Sequence, residues 1–354
     1  MSQEQTVDES GPGHQRRARY SGTHPKTFKE KYKELSPDKY AEDVAKVISK
    51  GRTPAGMHIP ICVKEILELL RIEPGQTGLD ATLGYGGHTL EMLRCLDSKG
   101  CLYALDVDPL QLPKTKERLE RLGFGPEILK IRQMNFCEID KIAPEIGFNF
   151  ILADLGVSSM QIDDPERGFS YKTEGPLDLR LNPKAGISAA ERLKELSQEE
   201  LEGMLIENAD EPYYAVIARA IISNIKKGND ITTTTQLRCI IKEALKAIPK
   251  IISEDEKNKS CQRCFQALRI DVNSEFEVLE EFLEKLPDVL AEGGRVAILS
   301  FHSGEDRLVK KSFKSFFREG VYREIAPDPI RPSAEECCQN SRAHSAKLRW
   351  AIKA

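Results

Sequence analysis

Apolar and polar positions follow two different rhythms along this chain, and the change between them marks its organisation. Ile61, Val63, Ile66, Leu67, Leu69 and Leu70 recur at helical spacing and stop at Pro74-Gly75, which predicts a helix lying on a core. Short continuous apolar runs then predict buried strands at 77–81, 101–105, 128–132 and 148–154, with helices at 89–96 and 110–122 between them. Strands without alternation are covered on both faces, so the expected fold class is α/β, a mainly parallel doubly wound sheet. The rhythm breaks near Asp163. Residues 165–259 read as helical and polar, with a capping-box start at Ser197-Gln198-Glu199-Glu200 and further helices at 213–225 and 235–248. Sheet-like sequence resumes with a helix carrying Phe276, Leu279, Phe282, Leu283 and Leu286. After it come a turn at Gly293-Gly294, a strand at 295–301, a helix at 307–318 and strands at 322–325 and 348–352. The expected organisation is a basic arm over 1–55, with a short helical run near 40–49. An α/β domain follows over 56–164 and 260–354, interrupted by an all-helical subdomain at 165–259.

Composition narrows the class. Of 354 residues 40% are hydrophobic and 31% charged, the range of water-soluble globular chains. No apolar run reaches membrane-spanning length, and the polar amino terminus does not read as a secretory signal, so a cytoplasmic protein is expected. Nine scattered cysteines argue for a reducing compartment rather than a disulfide framework. Cys261-x-x-Cys264 with Cys337-Cys338 is a poor zinc set, because adjacent cysteines rarely ligate one ion, and no metal is expected.

The net charge of −4 gives no bulk attraction to nucleic acid, yet the positive charge is gathered in three places. Residues 14–33 hold seven cations against Glu30, residues 307–318 hold five with no acid, and the tail after Ser341 holds four more. Each segment is either a local phosphate contact or a solvated charged face.

The chemistry begins where strand 77–81 ends. Leu83-Gly84-Tyr85-Gly86-Gly87-His88 opens the next helix, and glycines there let a ligand approach the backbone. Asp106 ends the following strand, twenty residues after Gly86, where a carboxylate accepts from both ribose hydroxyls. The turn lacks the third glycine of a dinucleotide fingerprint and the Gly-Lys-Ser/Thr ending of a phosphate loop. That shifts weight toward an adenosyl cofactor without phosphates.

Longer stretches carry a family likeness. HIPICVKEIL (58–67), DATLGYGGH (80–88), ALDVDP (104–109), DLGVSSMQIDDPERGFS (154–170), GPLDLR (175–180), FQALRIDVNSE (265–275), SFHSGEDRLVK (300–310) and SAKLR (345–349) occur in order and with matching spacing. In these the chain resembles the bacterial ribosomal-RNA methyltransferases that act on the N4 amine of a cytosine in the small-subunit decoding centre. The resemblance runs from Met57 to the carboxyl terminus. It implies a Rossmann-like methyltransferase fold, S-adenosyl-L-methionine as cofactor, and a helical substrate-recognition insert after the fourth strand. It also implies cofactor contacts from Gly84, Gly86, Gly87, His88, Asp106, Phe136, Asp154 and Gln161. Asp154, Ser158 and His302 are the expected catalytic set, with Phe169, Tyr171 or Phe301 to stack on the base. RNA contacts are expected from Arg167, Arg180, Arg269, Asn273, Lys310, Lys347 and Arg349. The expected partner is small-subunit ribosomal RNA within the ribosomal subunit, with no membrane; a homodimer is left open. Alternatives are an assembly factor with a relic cofactor site, or a methyltransferase of the same fold acting on another substrate. The chain departs from the family at Met160 (usually proline), Gly304 (usually leucine) and Cys264 (commonly threonine). Gly304 is expected to loosen a helix start beside the site.

Overall fold

The computed structural model describes residues 60–354; the expected arm at 1–55 and its helical run near 40–49 lie outside the described residues. Seven strands form one sheet: β1 (Thr77–Asp80), β2 (Cys101–Asp106), β3 (Leu129–Gln133), β4 (Phe148–Asp154), β5 (Leu290–Ser300), β6 (Tyr322–Ile325) and β7 (Lys347–Lys353). Their order is β3-β2-β1-β4-β5-β7-β6. Neighbours pair in parallel from β3 through β5, while β7 runs antiparallel to both β5 and β6.

Successive residues of β4 show why its run is unbroken. Phe150 and Leu152 join the core under α1 (Val63–Leu70), α2 (Gly87–Leu96) and α3 (Leu112–Arg121). Phe148, Ile151 and Ala153 join the core on the opposite face. Helices thus sandwich the sheet, as a doubly wound fold requires. The chain leaves β1 toward β2 and β3, then returns to β4 on the other side of β1. The strand order therefore reverses between β1 and β4, and the crevice at their carboxyl ends is where such folds place ligands.

Between β4 and β5 come six helices: α4 (Ser159–Asp163), α5 (Ala189–Glu195), α6 (Gln198–Ala209), α7 (Tyr214–Lys226), α8 (Thr234–Lys246) and α9 (Glu254–Asn273), followed by α10 (Glu275–Val289). Ser197 caps α6 by accepting from the Glu200 N–H, and the Glu200 side chain answers the Ser197 N–H. Leu193, Leu201, Leu205, Ile217, Ile221, Leu237, Ile241, Phe265 and Leu268 form a core of their own. Cys261 and Cys264 are buried in it, whereas Cys337 packs against the sheet.

Two expectations need correction. A boundary at 259/260 would cut through α9, a single 20-residue helix that runs from the helical core to the ligand crevice. Six charged residues crowd its first half, which hides its apolar face. The pair Gly293-Gly294 is no turn ending a loop but lies inside β5. There the pairing jumps from Phe148↔Leu290 to Phe150↔Arg295, so the two glycines absorb a bulge. Helix α11 (Ser303–Arg318) follows β5, and α12 (Ala334–Gln339) precedes β7.

Candidate active site

A cavity of about 1030 Å³ opens at the strand reversal, walled by the sheet's carboxyl ends on one side and by α9 and the 169–186 segment on the other. All eight residues expected to hold the cofactor line it. Gly84 and Gly86 take left-handed backbone, φ +49 and +76, and Gly86 caps α2. A Cβ on Gly86 would come within 2.9 Å of Thr115 Cγ2, and one on Gly87 within 3.1 Å of Pro60. The turn is held from behind. Thr115 Oγ1 donates to the Gly84 carbonyl, and buried Asp80 accepts from the Thr82 N–H and the Thr89 hydroxyl.

Asp106 fixes the other end of this cradle. Its Oδ2 accepts from the Gly84 N–H at 2.7 Å and its Oδ1 from the Asp108 N–H at 2.8 Å. Burial pushes its pKa up to about 6, resisted by those two N–H groups. Phe136 meets Phe282 edge to face at 5.0 Å while its ring also walls the cavity.

His88 and Asp154 form the most informative contact. His88 Nε2 lies 2.9 Å from the Ile61 carbonyl, which only accepts, so Nε2 carries a proton. His88 Nδ1 is 3.5 Å from Asp154 Oδ2. Burial raises the Asp154 pKa to about 6, with His88 pulling the other way and Asp80 and Glu305 adding to the rise. Asp154 Oδ1 is out of solvent and has no donor among the described residues.

Ser158 caps α4: its Oγ accepts from the Gln161 N–H, and Gln161 Oε1 accepts from the Ser158 N–H. Gln161 Nε2 donates to Asp108 at 2.8 Å. His302 caps α11 through Nδ1 and stands beside the buried Glu305. Burial opposes the Glu305 charge, but His302, Arg269 and the Phe301 N–H outweigh it and hold the pKa below the usual range. Gly304 does not loosen this helix start. A Cβ there would fall 2.5 Å from the Phe276 ring, which packs against His302, so glycine makes room for that ring while the capping box keeps the helix end. Phe169, Tyr171 and Phe301 all face the cavity.

The expected RNA contacts divide. Arg180 and Arg269 line the cavity, each in a two-point ion pair, with Asp178 and with Glu275. Asn273 also reaches the cavity, but its side-chain amide clips the Leu179 carbonyl and the Leu181 N–H. Arg167 is buried against Asp108 and donates to the carbonyls of residues 180 and 181. Arg349 is buried against Asp306, which Lys347 shares. Arg167 and Arg349 thus spend their charge inside the protein. Lys310 stands in solvent on α11, away from the cavity wall. Sequence reasoning gave no role to Asp108, which ties β2, Gln161 and Arg167 together. Standing before Pro109, it reads only as a helix start.

Cofactor affinity is expected to fall as the pH drops through about 6. Asp106 and Asp154 both become protonated there, and a carboxylate accepts from hydroxyls far better than a carboxylic acid does. The loss approaches roughly tenfold per pH unit for one group and a hundredfold if both must ionise. Calorimetry in two buffers near pH 6 checks this by the protons released on binding; equal heats in both buffers would rule it out.

A doubly wound sheet whose reversal point offers a glycine cradle, a carboxylate at the end of the next strand and no phosphate clasp defines the chain as an S-adenosylmethionine-dependent methyltransferase. More narrowly, it belongs to the MraW methylase family, whose model matches residues 55–354. It is 76% identical to ribosomal RNA small subunit methyltransferase H 2 of Alkaliphilus metalliredigens over 341 residues, covering 96% of this chain and 98% of that one. Ribosomal RNA small subunit methyltransferase H 1 of Lachnoclostridium phytofermentans is 67% identical over 351 residues, 99% of this chain and 96% of that one. The enzyme of the same name from Agathobacter rectalis is 63% identical over 342 residues, 96% of this chain and 98% of the other. Residues 1–54 lie outside the family model, yet alignment over 99% of the chain carries most of them into a relative. Among the described residues no helix is long and apolar enough to cross a membrane.

Proposed function

We infer that this chain transfers the methyl group of S-adenosylmethionine to the exocyclic N4 of a cytosine in the decoding centre of small-subunit ribosomal RNA, in the cytoplasm and within the ribosomal subunit. The observation that carries it is Asp154, a carboxylate in the cavity wall next to the glycine cradle, in a chain 76% identical to a small-subunit RNA methyltransferase.

The bound cofactor supplies an electrophilic methyl on positively charged sulfur. The chain's residues hold and align. Gly84, Gly86 and Gly87 let the adenosyl group lie against the backbone, Asp106 accepts from the ribose, and Phe136 covers the adenine. Gln161, locked by Asp108 and Ser158, bounds the methionine end. The cytosine N4 lone pair is delocalised into its ring. The Asp154 carboxylate, in the cavity wall, accepts an amine hydrogen and favours the pyramidal, nucleophilic form. His88 Nδ1, 3.5 Å from Asp154 Oδ2, holds that carboxylate in place, and the N4 proton, acidic once the methyl is on, leaves to solvent. Alignment of this kind supplies up to about 7–11 kcal/mol in well-oriented systems.

The helical segment between β4 and β5, together with Arg180 and Arg269 in the cavity wall, presents the RNA. The target base must leave its stack to enter, and Phe169, Tyr171 and Phe301 offer faces to receive it.

Transfer of labelled methyl to small ribosomal subunits, free RNA, DNA and protein separates the substrate classes. The expected result is label in small-subunit RNA and N4-methylcytosine missing from cells that lack the gene. Intact N4-methylcytosine in such cells would remove the assignment. Label in protein or DNA alone would point to another substrate on the same fold.

A further inference from the structure

We propose that the exposed face of α11 is a track for the RNA backbone flanking the target base, with Phe317 stacking on a base or ribose beside it. This rests on the RNA substrate inferred above. At about 100° per residue, Arg307, Lys310, Lys311, Lys314, Phe317 and Arg318 fall within one face about 120° wide. All six are exposed, and none of the residues among them on that face is acidic. The opposite face buries Glu305, Val309 and Phe313.

The alternative, an ordinary solvated face, fits poorly with how this chain treats many of its other helical cations, although Lys114, Arg219 and Lys226 also lack an ion pair among the described residues. Lys116 and Arg121 on α3, Lys257 on α9 and Lys285 on α10 each face an acid three or four residues away. On α11 the spacings 307 with 311, 310 with 314 and 314 with 318 join cations, and Asp306, four residues before Lys310, is taken by Arg349 and Lys347. Each such like-charge spacing destabilises a helix. Lys310, Lys311, Lys314 and Arg318 make no ion pair among the described residues, and Arg307 only a distant one with Asp210 at 3.8 Å. A face that works against its own helix fits an external polyanion. Phe317, 46% exposed, is the one aromatic among the exposed large hydrophobic side chains of the described residues.

Position singles out RNA as that polyanion. The helix starts at His302, in the cavity wall, so its stripe from 307 to 318 lies about 7–24 Å along the helix from that wall.

The test is the triple variant Lys311→Gln, Lys314→Gln, Arg318→Gln, assayed on unmethylated small subunits and on naked small-subunit RNA. The log–log dependence of RNA affinity on salt should flatten by about 3, one for each phosphate that the variant no longer neutralises. KM for RNA should rise roughly tenfold or more at moderate salt, with kcat and cofactor affinity unchanged. Phe317→Ala should weaken RNA binding by about fivefold or more with the salt slope unchanged. A triple variant with wild-type slope and KM overturns the track. So does one that keeps its RNA affinity but loses binding to anionic vesicles, which would make the stripe a membrane-facing surface. Should the wild-type chain methylate no RNA, the substrate reading fails, while filter binding still judges the track.

Discussion

Asp106→Ala is expected to lower cofactor affinity roughly 10²- to 10⁴-fold. Two hydrogen bonds from ribose hydroxyls to a carboxylate are worth about 1.5–3 kcal/mol each. The substitution has a second effect inside the protein. It leaves the Gly84 and Asp108 N–H groups without the acceptor that holds the glycine turn against β2. Asp106→Asn keeps one of those acceptors and should fall between the two. Calorimetry measures the affinity, and circular dichroism shows whether the fold persists. A folded Asp106→Ala protein that binds cofactor as tightly as the parent would remove Asp106 from the ribose.

Arg167→Met should cost about 3–5 kcal/mol of stability, the usual penalty for stranding one partner of a buried ion pair. Asp108 is fully buried and would be left with only Gln161 and backbone N–H groups around it. The carbonyls of residues 180 and 181 would also lose their donor. Adding Asp108→Asn should restore part of the loss, because the stranded charge goes while the helix-start acceptor stays. Urea unfolding of the two variants checks this. An arginine that instead reached out to RNA would leave stability untouched when replaced and raise only KM for RNA.

Arg167 also shows where sequence reasoning ends. It sits in DDPERGFS, among the residues most characteristic of the family, and a cation there reads naturally as a phosphate contact. Whether a guanidinium meets solvent or a carboxylate from another strand depends on the fold of residues far apart in sequence, here 59 positions. The same holds for Arg349, buried against Asp306. The sheet was far more legible. FNFILAD is apolar at consecutive positions because helices cover both faces, and that pattern survives in a single sequence. The cofactor residues were legible for a related reason, since a turn and two strand ends fix their places locally. Helix α9 was not. Its first turns, EDEKNKS, are polar, and its apolar residues from Cys261 on pack in the helical core while Gln262, Gln266, Arg269 and Asn273 line the cavity. The glycine bulge in β5 was misread because two adjacent glycines serve a turn and a bulge equally well.

Helices α9 and α10 meet at Ser274 alone, in left-handed backbone with φ +48. The first belongs to the helical core and lines the cavity with Arg269 and Asn273; the second carries Leu279, Phe282 and Leu286 into the sheet. No slack exists at that joint. One residue added at the head of α10 would turn its apolar stripe about 100° from the sheet. Chain length at this spot is therefore under the same constraint as the side chains around the methyl group.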